Sequence, residues 1–503
     1  MLQETKLNLR NQVIYFFSIY FLFSLKPKFE FFFPKIVEGY KYFHYCLIIW
    51  GALFFLLNFQ FIISYFRNKL NHLLLLFFAT IGITIAYNFT YLSAESIKTS
   101  VLTIFVIVIF LPSFQLLLEQ YSEAKIFKII FYPTFVLRVV VNLIGILMYV
   151  LNYSLFILDA DNILYYAGVR YVELANGKFT FLLYGLYSDP NYSAIYSLSF
   201  IFLGLFFLFK FKYRSLFKKI LIIIFLLLEF TVFALSNSRG AELAIYIGIL
   251  FYFFLLIIRF VTKKSERNNT KKIFLKLLMF TLSFFVLNFG IKTVALFILE
   301  QNNPVRILIR QENNEYIRLG ETTEKEMLKQ YISTVDEVSI NLEEIKTNTS
   351  IVKEDSSKDF GNGRFRIWRD ALLLSTKSPI FGFGPDMQKN AAKRFSDIEV
   401  PEMYSGRAFH NSYILLYFSF GIVGFIVLGI WFIRVFLRLS VKIIMTENEF
   451  SFLFLGVVAL MVSSSFIDIL FVNNDFPQMY LYFILGVLMS GDNLKMHNKI
   501  ENN

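Results

Sequence analysis

Charge, cysteine and histidine are scarce in this chain of 503 residues, and each scarcity excludes something. Asp, Glu, Lys and Arg together make up only 17% of the sequence, against about 25% in soluble domains. A conventional water-soluble fold of this length is thereby excluded. A single cysteine, Cys46, rules out an intramolecular disulfide. With four histidines and no cluster of histidines and carboxylates, nothing argues for a required metal or another cofactor. Asp159-Ala160-Asp161 has the spacing of a metal-binding acid pair, but two acids in a loop arise easily. No internal repeat is visible. The first apolar run is followed by Lys26-Pro27-Lys28 and bulky aromatics rather than small residues, so no removable leader is expected.

Apolar side chains are what the chain has instead. They account for 56% of the residues, with 64 phenylalanines. Apolar runs recur near residues 12–25, 43–66, 72–92, 99–118, 129–157, 191–209, 220–235, 241–258, 273–299, 410–433, 450–472 and 476–490. Most approach the ~20 residues that a helix needs to cross ~30 Å of hydrocarbon. The expectation is an all-α polytopic membrane protein of about 12 transmembrane helices with one large extracytoplasmic helical loop. Its parts are helices 1–9 over 1–299, a loop domain over 300–409, helices 10–12 over 410–491 and a cytoplasmic tail over 492–503. With the N-terminus inside, 23 Lys and Arg fall on the cytoplasmic side and 8 in the short outer segments. Both termini are therefore expected inside and the long interval outside. This asymmetry accounts for most of the net charge of +12, so nucleic acid is not an expected partner.

The outer interval carries the polar chemistry. Leu328, Tyr331, Val335, Val338, Leu342 and Ile345 are spaced as one face of an amphipathic helix. After a polar stretch, Gly361-Asn362-Gly363 precedes Arg364-Phe365-Arg366-Ile367-Trp368, in which Arg364 and Trp368 are four apart and share a helix face. Arg366 can pair with Asp370. Lys377-Ser378-Pro379 ends that helix, and Gly382-Phe383-Gly384-Pro385 makes a turn that could offer backbone N–H groups to an anion. Arg407 stands three residues before His410-Asn411, where the chain re-enters the membrane through Gly421-Ile422-Val423-Gly424. His44, at the outer end of the second span, is the other histidine on that side. Arg138, Glu229, Glu242, Lys292 and Asp468 lie within spans, where an ion is costly. They either pair with one another or line a polar cavity.

Taken together, Arg364 with Trp368, Pro379 with Gly382 and Gly384, His410-Asn411, and Gly421 with Gly424 resemble the bacterial O-antigen ligase and polysaccharide-polymerase superfamily. Ser238-Arg239-Gly240 and Asp189-Pro190-Asn191 match as well, and the similarity spans roughly 185–490. The resemblance implies a GT-C-like membrane glycosyltransferase of the bacterial cytoplasmic membrane. It would polymerize oligosaccharide repeat units linked to undecaprenyl diphosphate into O-antigen or capsular polysaccharide on the outer face. By the same resemblance Arg239 and Arg364 would hold the diphosphate and His410 would be the general base. Arg366, Arg407, Asn411, Asp189, Asn191 and Asp468 would contact substrate, with no metal ligands among them. Besides the lipid-linked donor and membrane lipid, a chain-length regulator and a flippase are the partners such enzymes imply.

Other readings compete. Ligation of the glycan to lipid A-core or to a protein uses the same donor. A transporter or lipid-oligosaccharide flippase also fits twelve spans with both ends inside, although it would be expected to show two related halves. A structural or regulatory subunit is a third reading. Locally, His410 could be an interfacial helix cap, Arg239 an interface marker, and Asp189 and Asn191 merely the cap of the sixth span.

Overall fold

The computed structural model describes residues 2–25, 36–158, 164–173, 179–187, 189–211, 215–263, 265, 267–301, 305–310, 315–319, 364–404, 409–445, 450–467 and 475–500. Helices dominate. The first ten are α1 (Leu2–Ser24), α2 (Ile36–Leu57), α3 (Phe59–Arg67), α4 (His72–Asn88), α5 (Ala94–Leu118), α6 (Glu123–Val150), α7 (Pro190–Lys210), α8 (Leu216–Ser236), α9 (Arg239–Thr262) and α10 (Arg267–Gln301). Later in the chain come α11 (Arg364–Ser375), α12 (Gln388–Arg394), α13 (Pro401–Tyr404), α14 (Ser412–Met445), α15 (Ser451–Ser463) and α16 (Phe476–Ile500).

Every apolar run in the sequence contains helix among the described residues, although the run over 129–157 ends in strand. Among the described residues, seven helices are long and apolar enough to cross a membrane on their own, and α2 with α3 makes an eighth candidate that is bent by 77° between Leu57 and Phe59. Val13–Ser24, His72–Asn88, Ser451–Ser463 and Phe476–Ser490 are shorter apolar helices. The protein is a polytopic, mainly helical membrane protein.

Packing explains the phenylalanine content. Helices in lipid gain little from the hydrophobic effect and associate through close side-chain contact. Phe21 of α1 meets Phe110 of α5, Phe131 of α6, and Phe476 and Phe483 of α16, with ring centroids 5.1–5.7 Å apart. Such rings add about 0.5–1.5 kcal/mol per pair beyond their area. Helix α7 runs through the centre, with 83% of its apolar window buried, whereas α10 lies at the periphery with 12%.

Two features depart from the expected all-helical plan. The fifth span was expected to run to residue 157, but α6 stops at Val150. Asn152 then takes a left-handed conformation (φ 51°), and β1 (Tyr153–Leu158) begins. With β2 (Leu164–Glu173), β3 (Phe179–Gly185), β4 (Val305–Arg310) and β5 (Glu315–Leu319) it forms a five-stranded sheet in the order β3-β2-β1-β4-β5. Strands β1 and β4 are parallel and the other pairs antiparallel. A small core of Tyr149, Val169, Leu183, Val232, Leu235 and Ala295 seats the sheet on the ends of α6, α8 and α10. The loop domain is therefore not wholly helical. Its second part, α11 to α13, packs a separate core of Ile367, Leu374, Phe383, Met403 and Phe409 against Leu415 and Phe418 of α14.

Candidate active site

The two glycine motifs meet each other rather than a ligand. Gly421 breaks α14 with φ 62°, which leaves nearby helical carbonyls and N–H groups without their usual partners. The turn at 379–384 takes them up. Phe383 and Gly384 donate their N–H groups to the carbonyls of Phe418 and Ser419 at 2.9 and 2.8 Å, and Ile422 donates to Pro379 O at 2.8 Å. A Cβ on Gly382 would strike the backbone of Ser419, and one on Gly421 would strike Ile380. Only glycine allows this approach. The expectation that the Gly382-to-Gly384 turn cradles an anion is thus corrected, because the N–H groups of Phe383 and Gly384 are spent on the kink.

That brace fixes the N-terminal end of α14, where His410 stands. His410 is half-buried and adopts φ 51°, a conformation that costs a non-glycine residue of order 1–3 kcal/mol and persists only where neighbours enforce it. They do so on both sides. On the preceding side, Trp368 Nε1 donates to Phe409 O at 2.9 Å. On the following side, Asn411 Oδ1 accepts from the N–H groups of Tyr413 and Ile414 at 3.0 and 3.1 Å, capping α14. Ser412 then donates its N–H to Ser464 O at 2.8 Å and its hydroxyl to Ile467 O at 3.0 Å. Asn411 is the cap of the helix, and His410 is the residue held ahead of it.

Turn 464–467 also receives the second motif. Gly240 packs so closely on Phe466 that a Cβ would come within 3.0 Å of its side chain. Arg239 beside it opens α9, is exposed, and makes no hydrogen bond or ion pair among the described residues. The preceding Ser238 gives no side-chain cap to α9; its hydroxyl donates to Asn191 Oδ1 at 2.8 Å instead. An exposed guanidinium at an uncapped helix N-terminus is an electropositive point suited to an anion. Asp189 caps α7 by accepting from the Asn191 N–H at 2.6 Å, so it is a helix cap and a support for Asn191. Arg364 starts α11 on the face that carries Trp368, the face docked on Phe409. One chain of contacts therefore joins Asp189, Asn191, Ser238, the Arg239-Gly240 pair, turn 464–467, His410 and the Arg364-to-Trp368 turn.

Other expected residues fall elsewhere. Arg366 does not pair with Asp370. It is exposed and lies 3.9 Å from Glu402, while Asp370 is held by Arg369 at 2.9 Å and accepts from the Glu402 N–H. Arg407, Asp468, Asp159, Asp161 and the face from Leu328 to Ile345 lie outside the described residues. The intramembrane charges that are described pair with one another. Arg138, fully buried, donates from Nε and Nη2 to both oxygens of Glu229, from Nη1 to Tyr187 at 2.8 Å and from Nη2 to Ser197 at 2.9 Å. Lys292 pairs with Glu242 and also donates to Asn237 Oδ1 at 3.0 Å, immediately before the Ser238-Arg239 motif.

What the sequence reading missed is the anchoring of the site: the Ser238 to Asn191 bond, the Trp368 to Phe409 bond and the carbonyls of Ser464 and Ile467. Ser238 and Trp368 stood inside the quoted motifs, but backbone carbonyls carry no sequence signal.

No curated protein matches the chain. Residues 221–429, which contain Arg239, Arg364 and His410, match a family model described as O-antigen ligase. The match is shorter than the 185–490 that the motifs suggested, and it leaves out Asp189, Asn191 and turn 464–467. Over 221–429, about two fifths of the chain, the protein is similar to the O-antigen ligase family, and that likeness supports the superfamily of O-antigen ligases and polymerases.

Proposed function

We propose that the protein is a glycosyltransferase of the bacterial cytoplasmic membrane whose donor is an oligosaccharide carried on undecaprenyl diphosphate, and that it polymerizes such repeat units on the outer face. The observation that supports this reading is the clamped, left-handed His410 in one contact chain with the exposed Arg239. Arg239 and Arg364 offset charge on the diphosphate, a task that suits permanently charged, fork-shaped guanidinium groups. His410 takes the proton of the acceptor hydroxyl, for which an unperturbed imidazole pKa of ~6.5 is suited. The acceptor oxygen then bonds to the anomeric carbon at the reducing end of the donor. The bond from that carbon to the diphosphate oxygen breaks, and undecaprenyl diphosphate leaves with the electron pair. Asn191, held by Asp189 and bonded to Ser238, keeps the turn ahead of Arg239 in place.

The test uses purified protein in nanodiscs with lipid-linked repeat units. A ladder of longer lipid-linked glycans is the expected product. Transfer only when lipid A-core or a protein acceptor is added would replace polymerization by ligation. Translocation without a new glycosidic bond would overturn the enzyme reading. Because the arginines supply the charge, turnover is expected to persist in excess EDTA. Loss on chelation and recovery with Mg²⁺ would move attention to Asp159 and Asp161.

A further inference from the structure

The turn ahead of Arg239 is held from two sides. Asn237 and Ser238 alone join α8 to α9. Ser238 is bonded to Asn191 at the start of α7. Asn237 takes a left-handed conformation with φ 50° and ψ 37°, and its Oδ1 accepts from Lys292 Nζ of α10 at 3.0 Å. A lysine of the peripheral helix thus reaches across to the residue two places before Arg239.

The same ammonium binds a carboxylate. Lys292 Nζ donates to Glu242 Oε1, and Asn288, one turn earlier on α10, places Nδ2 3.5 Å from that oxygen. Glu242 lies in the first turn of α9, three residues after Arg239. Positions three apart on a helix are neighbours, about 5–6 Å between Cβ atoms, so a carboxylate released from Lys292 would have the Arg239 guanidinium within reach. It is not paired with Arg239 here, which stays exposed and without an ion pair among the described residues. Mutual neutralisation of two ions in the bundle accounts for the bond between Lys292 and Glu242. It does not account for the second bond, to Asn237, which sets the ammonium between the turn that leads to Arg239 and the acid that would neutralise it.

We propose that Lys292 is a positioning residue for Arg239: it draws the Glu242 carboxylate toward α10 and fixes the turn at Asn237, so that Arg239 keeps its charge for an anionic substrate. The proposal rests on the reading of Arg239 as a group that meets the diphosphate. Lys292 itself touches no reacting atom. Without it, Glu242 turns to Arg239 and lowers the positive potential at the start of α9, which weakens the hold on the diphosphate in the ground state and the transition state alike.

The experiment measures kcat and KM for the lipid-linked donor with the full-length protein in nanodiscs, and the melting temperature of each variant alongside. Lys292→Met should lower kcat/KM about tenfold, with a rise in KM. Lys292→Arg keeps the cation and should retain most of the activity. Lys292→Met combined with Glu242→Gln should regain most of the loss, because no carboxylate is left to neutralise Arg239. In an Arg239→Ala background, Lys292→Met should change kcat/KM by less than about twofold, since the two substitutions then act on one interaction. Where Lys292→Met fails to fold, Lys292→Gln, which keeps a hydrogen bond to Glu242 without the charge, takes its place. The proposal is overturned if the folded variant matches the unmodified protein, if adding Glu242→Gln brings no recovery, or if the loss is as large in the Arg239→Ala background. Normal kcat/KM in Arg239→Ala itself would overturn the reading of Arg239 and the proposal with it, which keeps the two failures apart.

Discussion

Arg138 and Arg239 show two uses of the same side chain in one protein. Arg138 lies inside the bundle, where both oxygens of Glu229, the Tyr187 hydroxyl and the Ser197 hydroxyl accept from it. Its charge is consumed by the fold. Arg239 opens α9 at the end of the bundle, exposed and without a partner among the described residues. Its charge is left for something outside the fold. The difference separates an ion that holds helices together from one that the fold leaves exposed, and residue type alone does not disclose it.

The sharpest way to break this comparison is to remove the partner of the buried arginine. Glu229→Leu leaves an uncompensated charge and should destabilise the fold by about 3–5 kcal/mol, seen as loss of folded protein in the membrane. Arg138→Met combined with Glu229→Leu should recover most of that loss. If the single variant were as stable as the unmodified protein, the pair would not be structural.

At Arg239 the expected pattern is the reverse, with abundance kept and chemistry lost. Arg239→Ala should lower the rate of product formation on the order of 10²-fold, a change of ~2.7 kcal/mol in the barrier. Arg239→Lys should fall between, since an ammonium keeps the charge and loses the fork. Normal product yield from Arg239→Gln would contradict the electrostatic role.

Gly421 tests the brace between the two regions. Gly421→Ala places a Cβ at φ 62° against Ile380 and should cost at least about 1–2 kcal/mol of stability, with turnover reduced because His410 stands on the same helix end. The smallest effect belongs to an ordinary surface pair. Lys377 donates to Asp397 at 2.6 Å, and this hydrogen bond lowers the Asp397 carboxyl below its usual range. A carboxyl lowered in the folded state contributes stability above the ordinary carboxylate range and loses it as acid titrates the group. For a pair this exposed, Lys377→Ala should leave the melting temperature at neutral pH unchanged within error.

The helices were legible in the sequence because hydropathy over twenty residues is a strong local signal, and each of the twelve apolar runs contains helix among the described residues. The strands were not. Strand β1 pairs with β4 across some 150 residues, and Tyr153–Leu158 reads locally as the end of an apolar span. Within the site, Arg239, Arg364 and His410 stood out as polar residues in an apolar chain. The motif from Gly382 to Gly384 was visible too, but its use was not. A glycine turn ahead of a helix fits an anion cradle and a backbone brace equally well, and only the kink at Gly421 decides between them. Arg366 was paired on helical spacing with Asp370, whereas Arg369 and the Glu402 N–H already occupy that carboxylate.

The central claim is that His410 is the base of a glycosyl transfer and not simply the residue ahead of a helix cap. The most direct measurement is product formation from lipid-linked repeat units by His410→Ala in nanodiscs, with the amount and melting temperature of the variant measured alongside. His44→Ala serves as control. The account predicts folded, stable protein with no glycan product from His410→Ala, and normal product from His44→Ala. Full product yield from His410→Ala would contradict it.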